Sequence, residues 1–356
     1  MPAHQQVRRS LLDAIHRTKM EPGTKIPGEP ELAAMFQVSR MTVNKAILTL
    51  VADGVLTREK GRGTYTSGQS PASHSVRQVY VALKEEPTLA MEDYYLGALY
   101  WRIHAHLACR GIFVTLADLN RDLEAQLSPQ SAVVAVNPHH RSLADLSALA
   151  ESGVPTVMVG AGWSEPGVRT VDSDNLLGAA LAVNELSDAG HRNVLMIAAC
   201  PEDSNTMDRE RGFRMAMKTR ELPMDAGNIL HAPSALGFDL EFESVLFDRI
   251  AERRVTAIFA AGAHLALRLL AAAQRRRIRV PEDLSIIGYD DPTFLSMAHP
   301  SITTLRQPID AMAQAACELV LQPEPLTHPA DRRILDPILV RRQSVAPNHG
   351  FFHCNG

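Results

Sequence analysis

The spacing of apolar residues predicts a helix directly after Ser39. Apolar side chains recur there at intervals of three and four residues, at Val43, Ala46, Ile47, Leu50 and Val51. This spacing places them on one face of a helix, where they would pack inward. Ser39 is a favourable N-cap because its hydroxyl can accept a hydrogen bond from a free backbone N–H of the first turn. The opposite face of the helix would then be exposed.

A short helical segment precedes this helix, and a glycine-containing hairpin follows it. Residues 55–58 and 63–66 have strand-like content, and glycines in the turn at 60–63 can adopt the positive φ of tight hairpins. This order of elements is typical of a winged helix-turn-helix that binds double-stranded DNA. Each signal alone could instead be a packed surface helix or an ordinary turn. The predicted DNA contacts are Ser39, Arg40, Met41, Thr42, Asn44 and Lys45 on the helix, and Lys60, Arg62 and Gly63 in the turn.

The distribution of charge supports DNA binding by the N-terminal part. Residues 1–77 carry 11 Lys and Arg against 6 Asp and Glu, a net charge of +5, whereas the remainder carries −9 of the total −4. Attraction to phosphate is local, because salt screens it within about 10 Å. Arg40 could reach guanine or phosphate, and Thr42 and Asn44 could bond to base edges or backbone. A basic head on an acidic body is expected to touch DNA through the head alone.

From residue 78 onward the pattern changes to short apolar runs that alternate with helical segments. The runs fall into two sets, 79–83, 112–117, 132–136 and 156–160, then 194–199, 228–232, 256–261 and 284–290. Such alternation predicts parallel sheets covered by helices on both faces. The fold class is therefore α/β, with two similar lobes and a cleft between them. Small and polar residues over 67–77 predict a flexible connector to the head.

Composition narrows the class of protein further. A chain of 356 residues with 46% hydrophobic content is expected to form two to three domains. It contains no apolar run of about 20 residues and no stretch resembling a signal peptide, so we expect a cytoplasmic protein without a membrane partner. Its cysteines are scattered, at 109, 200, 317 and 354, and its histidine pairs lack helical ligand spacing. We therefore predict no metal site.

The N-terminal part resembles the DNA-binding domain of GntR-type regulators. The resemblance is carried by a first helix over about residues 5–18 and by the segments EPGTKIPGEPELAAMF, VSRMTV and DGVLTREKGRGTY. It implies a winged helix domain that binds an operator. The family commonly has Arg at the positions of Pro30 and Asn44, and Gly at that of Gln37. Because two arginines are missing, Arg40 is expected to carry more of the recognition.

The segments over 76–345 resemble the effector-binding domain of LacI/GalR regulators, which shares its fold with periplasmic sugar-binding proteins. The resemblance is carried by VDSDNLLGAALAVNELSDAGHRNVLMIA, DRERGFRMAM, RVPEDLSIIGYDD and ILVRRQS. It implies that Arg209 and Asp290 face a ligand in the cleft. A guanidinium can donate two hydrogen bonds to a polyol, and a carboxylate can accept two from it. Arg209 could instead pair with Asp208 or Glu210, and Asp290 could cap a turn with Asp291.

Further candidates for the ligand site are Trp163, His264, Tyr94 and Tyr95. Trp163 follows an apolar run and could stack on a sugar, although a lone Trp at that place is often part of a core. Family contacts are missing at Gly160, where some sugar repressors have an acid, and at Gly262-Ala263, in place of the usual Asn-Asp pair. His264 could replace one of them. The two tyrosines could equally serve helix packing.

Head and body together resemble the arabinose repressor group of regulators. We expect a winged helix domain over 1–67, a linker over 68–77, an effector and dimerisation domain over 78–345 and a tail over 346–356. The expected function is a ligand-responsive bacterial repressor of carbohydrate-use genes that binds an operator as a homodimer. We expect a small-molecule effector, with a saccharide favoured. No catalytic residue or cofactor is expected. The alternatives are a transport-linked binding protein, and a DNA-binding dimer whose cleft takes a non-sugar or no ligand.

Overall fold

The fold was obtained as a computed structural model. The residues that it describes are 3–17, 20–52, 55–59, 61–67, 76–84, 93–119, 123, 126–128, 130–322 and 332–348. The predicted tail beyond 348, most of the predicted linker and Lys60 lie outside these residues. None of the helices within the described ranges is long and apolar enough to cross a membrane.

The N-terminal domain is a three-helix unit with a two-stranded hairpin. Its elements are α1 (Ala3–Arg17), α2 (Glu29–Phe36), α3 (Arg40–Ala52), β1 (Leu56–Glu59) and β2 (Gly63–Thr66). The apolar stripe of α3 forms a core with α1 and α2, which includes Val7, Leu11, Leu32, Val43 and Ile47. The strands β1 and β2 are antiparallel, and Glu59 pairs with Gly63 across the turn. The predicted winged helix-turn-helix is thus confirmed.

Two departures from the GntR pattern are accommodated by the start and end of α2. Pro30 stands in the first turn, where its missing N–H costs no helical hydrogen bond. Gln37 caps the end of α2 with φ 54° and ψ 41°, in the left-handed region. A residue with a Cβ is disfavoured there, which explains in physical terms why glycine suits this position.

The body consists of two α/β lobes. The first comprises β3 (Gln78–Leu83), α4 (Tyr94–Ala108), β4 (Phe113–Asp118), β5 (Ser131–Val136), α5 (Leu143–Glu151), β6 (Thr156–Val159) and β7 (Arg169–Ser173). The second comprises α6 (Asn175–Asp188), β8 (Val194–Ala199), α7 (Ser204–Thr219), β9 (Ile229–Ala232), α8 (Leu240–Arg253), β10 (Ala257–Ala260), α9 (Ala263–Arg275), β11 (Ser285–Tyr289), α10 (Thr293–Met297) and β12 (Thr303–Arg306). The chain then returns to the first lobe with α11 (Ile309–Leu321) and β13 (Arg332–Leu335), and ends in the second with β14 (Ile338–Val340).

Each lobe contains one sheet with helices on both faces. Within the described ranges the strand order is β13-β7-β6-β5-β3-β4 in the first lobe and β14-β12-β11-β10-β8-β9 in the second. All neighbours run parallel except β14, which is antiparallel to β12. The two predicted lobes and all eight predicted runs are confirmed. The predicted parallel sheets are confirmed, and β14 is added to one edge of the second sheet as an antiparallel strand.

The described chain passes between the lobes three times, after β7, after β12 and after β13. The third connection spans only Asp336 and Pro337. The helix α11, which follows β12 of the second lobe, packs on the core of the first lobe with side chains such as Met312 and Leu319. The last described residues remain attached to the second lobe, because Asn348 N donates to Ala189 O at 2.9 Å.

Gly212 permits the close approach of α6 and α7. A Cβ at this position would lie 2.4 Å from Leu176 O, a backbone atom that cannot turn away. Gly212→Ala is therefore expected to lower the free energy of unfolding by about 1–3 kcal/mol, measured by urea denaturation. The control is Gly262→Ala, whose Cβ would meet only Leu265 Cδ1 at 3.7 Å. Equal stability of the two variants would contradict this account of the helix contact.

Candidate functional site

The exposed face of α3 carries most of the predicted DNA contacts. Arg40, Met41 and Lys45 are exposed, whereas Thr42 and Asn44 are half-buried. Ser39 acts as the N-cap, since its Oγ accepts a hydrogen bond from Thr42 N at 3.1 Å and lies 2.8 Å from Thr42 Oγ1. The two hydroxyls therefore satisfy one another at the start of the helix. Arg40 makes no hydrogen bond or ion pair to any described residue, so its guanidinium is available to DNA.

The hairpin lies beside α3 and presents its own basic side chains. Arg62 is 79% exposed and lies 3.6 Å from Glu59. Gly63 has a φ of +131°, and a Cβ there would meet the Lys25 side chain at 2.7 Å. One contact was missed by sequence reasoning: Arg58 on β1 donates to the side chains of Glu29 and Asn44. Nothing in the local sequence pattern connects β1 to these two helices.

The second candidate site is the cleft between the lobes, where Arg209 of the second lobe lies near Tyr95 of the first. This residue of α7 is buried, and its guanidinium stacks on the Tyr289 ring at 3.6 Å from the ring centroid. Its Nε donates to Asn175 Oδ1 at 2.8 Å, and its Nη1 donates to Ala261 O at 2.9 Å. Of the two alternative partners, Glu210 bonds to His231, and the cations that act on Asp208 are Arg332 and Arg211. The guanidinium is thus held by three residues of the second lobe, Asn175, Ala261 and Tyr289.

Asp290 lies directly after β11 with a φ of +69° and is buried. Its Oδ1 accepts a hydrogen bond from Gln307 Nε2 at 2.7 Å, while the neighbouring Asp291 pairs with Arg306 and Arg342. Burial raises the pKa of Asp290 to about 6, although Arg209 opposes the shift. The two acids therefore have different roles. Asp291 holds the second lobe together, and Asp290 remains near Arg209.

Both tyrosines at the start of α4 lie close to the acidic side of the cleft. The Tyr94 hydroxyl lies 3.5 Å from Asp291 O, across the cleft. Tyr95 packs in the first-lobe core, and its buried hydroxyl has no hydrogen-bond partner among the described residues. A Cβ on Gly160 would lie 2.3 Å from that hydroxyl. Gly160, noted for its missing acid, therefore leaves the space that the Tyr95 hydroxyl occupies.

The structure does not bring Trp163 and His264 to the same point. Trp163 is partly buried against the first-lobe core, donates from Nε1 to Pro138 O at 3.1 Å and meets the His140 ring edge-on. These contacts match the packing alternative. His264 lies against the Phe294 ring with a centroid distance of 5.2 Å, and its buried Nε2 lacks a described partner. Ligand contact by either side chain stays a prediction.

Asp172 is a cleft residue that sequence reasoning missed. It lies on β7, is 1% exposed, and accepts a hydrogen bond from Ser173 N at 2.8 Å. Burial raises its pKa to about 7, against the opposing effects of that hydrogen bond and of Arg209. Asp172 also helps to raise the pKa of the Tyr95 hydroxyl, whose largest cause is burial. Asp172, Asp290, Arg209 and the Tyr95 hydroxyl therefore lie close enough to influence one another's charge.

Because the pKa of Asp172 is raised, we expect the free energy of unfolding to depend on pH. A folded pKa of about 7, above the ordinary 3.8, favours the folded state at low pH. This contribution is lost as pH rises from about 4 to about 7, because the folded state must then release the proton it held more tightly. Asp172→Asn is expected to flatten the decline, measured by urea denaturation at several pH values. The exposed Asp248→Asn variant is the control, and a wild-type slope in Asp172→Asn would contradict the prediction.

The lobes are joined near the cleft by a set of polar contacts, here called the seam. Lys84 Nζ, after β3, lies 2.5 Å from Asp203 Oδ2, ahead of α7, and these side chains are only 7% and 11% exposed. His139 Nδ1 lies 3.4 Å from the other Asp203 oxygen. Ser204 Oγ accepts a hydrogen bond from Gly162 N, and Asn205 Nδ2 donates to Gly160 O, both at 2.9 Å. The start of α7 is thus docked on the first lobe.

Both parts of the chain match known protein families. Residues 3–66 match the family described as bacterial regulatory proteins, gntR family, and residues 183–345 match the periplasmic binding protein-like domain. Head, lobes and cleft therefore define the class of protein. The chain joins a DNA-binding domain of the gntR family to a periplasmic binding protein-like domain, which is the organisation of a transcriptional regulator.

Two relatives named as repressors align with this chain over nearly its whole length. The chain is 28% identical to the arabinose metabolism transcriptional repressor of Geobacillus stearothermophilus over 336 residues, which cover 90% of this chain and 91% of the relative. The regulator CelR in complex with cellobiose has a TM-score of 0.66 at 22% identity, covering 90% of this chain and 100% of that structure. A LacI family regulator from Enterococcus faecium with bound ribose has a TM-score of 0.63 at 21% identity, covering 76% and 99%. The two structures share the fold of the body.

Proposed function

We propose that this regulator represses carbohydrate-use genes by binding an operator as a homodimer, and that a saccharide in the cleft controls that binding. The observation that carries the proposal is the convergence of Arg209 and Asp290 at the cleft, with the Tyr95 hydroxyl supplied by the other lobe. Buried donors and acceptors of this kind suit hydroxyl-rich ligands. The ligand class is supported by the relative named as an arabinose metabolism repressor, and by the cellobiose and ribose bound in the two structures.

Exposed apolar side chains on the body support the dimer. Trp101 on α4 and Phe113 on the edge strand β4 are both more than half exposed, as are Leu240 and Met297 on the second lobe. A single small head offers few base contacts, whereas a two-fold dimer doubles them on a pseudo-palindromic site. Since the partner is chromosomal DNA, we place the protein in the bacterial cytoplasm.

The proposal is tested by fluorescence anisotropy on DNA from the region upstream of its own gene, with and without pooled mono- and oligosaccharides at fixed salt. We expect tight, sequence-dependent binding that one pool changes, and loss of that response in Arg209→Ala. Tight binding that no saccharide alters would favour the alternative of a cleft tuned to a non-sugar or to no ligand. Absence of sequence-dependent binding would refute the operator function.

A further inference from the structure

One exposed guanidinium stands where three elements of the N-terminal domain meet. Arg58 lies on β1, and its Nη2 donates to Glu29 Oε1 at 2.6 Å. Its Nη1 donates to Asn44 Oδ1 at 3.4 Å. Glu29 opens α2 and Asn44 lies within α3, so the Arg58 side chain links the hairpin to both helices. It is nevertheless 44% exposed.

This guanidinium lies on the surface that α3 turns away from the core. Asn44 is one helical turn from Met41 and Leu48, which are 83% and 52% exposed. Val43 and Ile47, which directly precede Asn44 and Leu48, are buried in the core. On β1 only Leu56 is buried, and Arg58 is exposed. The Arg58 guanidinium therefore shares a surface with the exposed row of α3.

We propose that Arg58 reads a base edge of the operator, and that Asn44 acts by positioning it. The proposal rests on the operator binding proposed above. A guanidinium has five N–H donors, and the two bonds described here leave others for the O6/N7 edge of guanine. Asn44, whose amide oxygen accepts from Arg58, directs that donor set along α3. The base contact that the sequence predicted for Asn44 is thereby assigned to Arg58, a side chain of the hairpin.

Glu29 has a distinct role in this arrangement. Its carboxylate holds Arg58 in place in the free protein, but it repels DNA phosphates when no base contact compensates for its charge. Glu29→Gln keeps an oxygen acceptor and removes the charge. We expect Glu29→Gln to tighten binding to unrelated DNA more than binding to the operator. Its operator-to-unrelated affinity ratio is therefore expected to fall.

The test measures affinity for the operator and for a scrambled duplex of equal length, by anisotropy at several salt concentrations. Arg58→Ala is expected to weaken operator binding by about tenfold to a hundredfold, with much less effect on the scrambled duplex. Arg58→Lys is expected to restore little, because an ammonium lacks the guanidinium fork. The matched control is Arg62→Ala on the same hairpin, which should weaken both duplexes alike.

The outcomes separate this assignment from the function on which it rests. Equal weakening of both duplexes by Arg58→Ala, or an unchanged operator preference, overturns the assignment alone. A wild-type protein that shows no operator preference overturns the operator function and the assignment together. Thermal unfolding of each variant is followed by circular dichroism. A mere structural role for Arg58 would lower its melting temperature and would be reproduced by Glu29→Ala.

Discussion

Arg40→Ala is expected to remove most of the protein's preference for its operator. Arg40 opens α3 beside the Ser39 cap, and its exposed guanidinium makes no bond to the described chain. A guanidinium that donates two hydrogen bonds to guanine contributes about 1–3 kcal/mol of discrimination against other bases. This corresponds to roughly tenfold to a hundredfold in affinity. The measurement is anisotropy on the operator and on a scrambled duplex.

A second variant and the salt dependence of affinity separate the loss of base recognition from the loss of charge. Arg40→Lys keeps the charge and should retain general affinity for DNA without the operator preference. The slope of affinity against salt should fall by about one in Arg40→Ala only if a phosphate contact is lost as well. An Arg40→Ala protein that binds its operator as tightly as the wild type would refute the assignment of α3 as the recognition helix.

Breaking the Lys84–Asp203 pair is expected to destabilise the body strongly. Both side chains are almost fully enclosed between the lobes. Lys84→Met would leave the buried Asp203 carboxylate with only His139 beside it, and losing one partner of such a pair costs about 3–5 kcal/mol. Urea unfolding followed by tryptophan fluorescence reports this directly, since Trp101 and Trp163 both belong to the first lobe.

The double variant Lys84→Met/Asp203→Asn is the matched control. The double variant removes the buried carboxylate charge that the single variant leaves, so most of the lost stability should return. Because the pair joins the two lobes, the single variant should also show a larger radius of gyration by X-ray scattering. If the single and double variants are equally stable, the seam contributes through packing rather than charge.

The winged helix and the strands of the body could be predicted from sequence because their signals are local. The spacing from Val43 to Val51 defines one buried helix face, and runs such as 132–136 are apolar without interruption. The strand β7 was not predicted, since Arg169, Thr170 and Asp172 make it look polar although it is buried. Its polar side chains serve the cleft and a contact with α11, which only the assembled lobes reveal.

The candidate sites depend on contacts between distant parts of the chain, so they could be predicted only in outline. Arg209 and Asp290 were predicted from the resemblance, whereas only tertiary packing brings Asp172 and Tyr289 close to Arg209. Lys84 and Asp203 are separated by 119 positions. Neither belongs to a recognisable motif. Arg58 was missed for the same reason, because its partners lie on two preceding helices.

The three passages of the chain between the lobes determine what a truncating mutation removes from the protein. A stop codon after Arg306 would delete α11 and β13 from one lobe and β14 from the other. Both sheets would lose an edge strand, and the first lobe would lose a helix with seven buried side chains. The lobes therefore cannot be lost one at a time by truncation. A late nonsense mutation is expected to abolish signal reception completely, even though it spares every residue of the DNA-binding head.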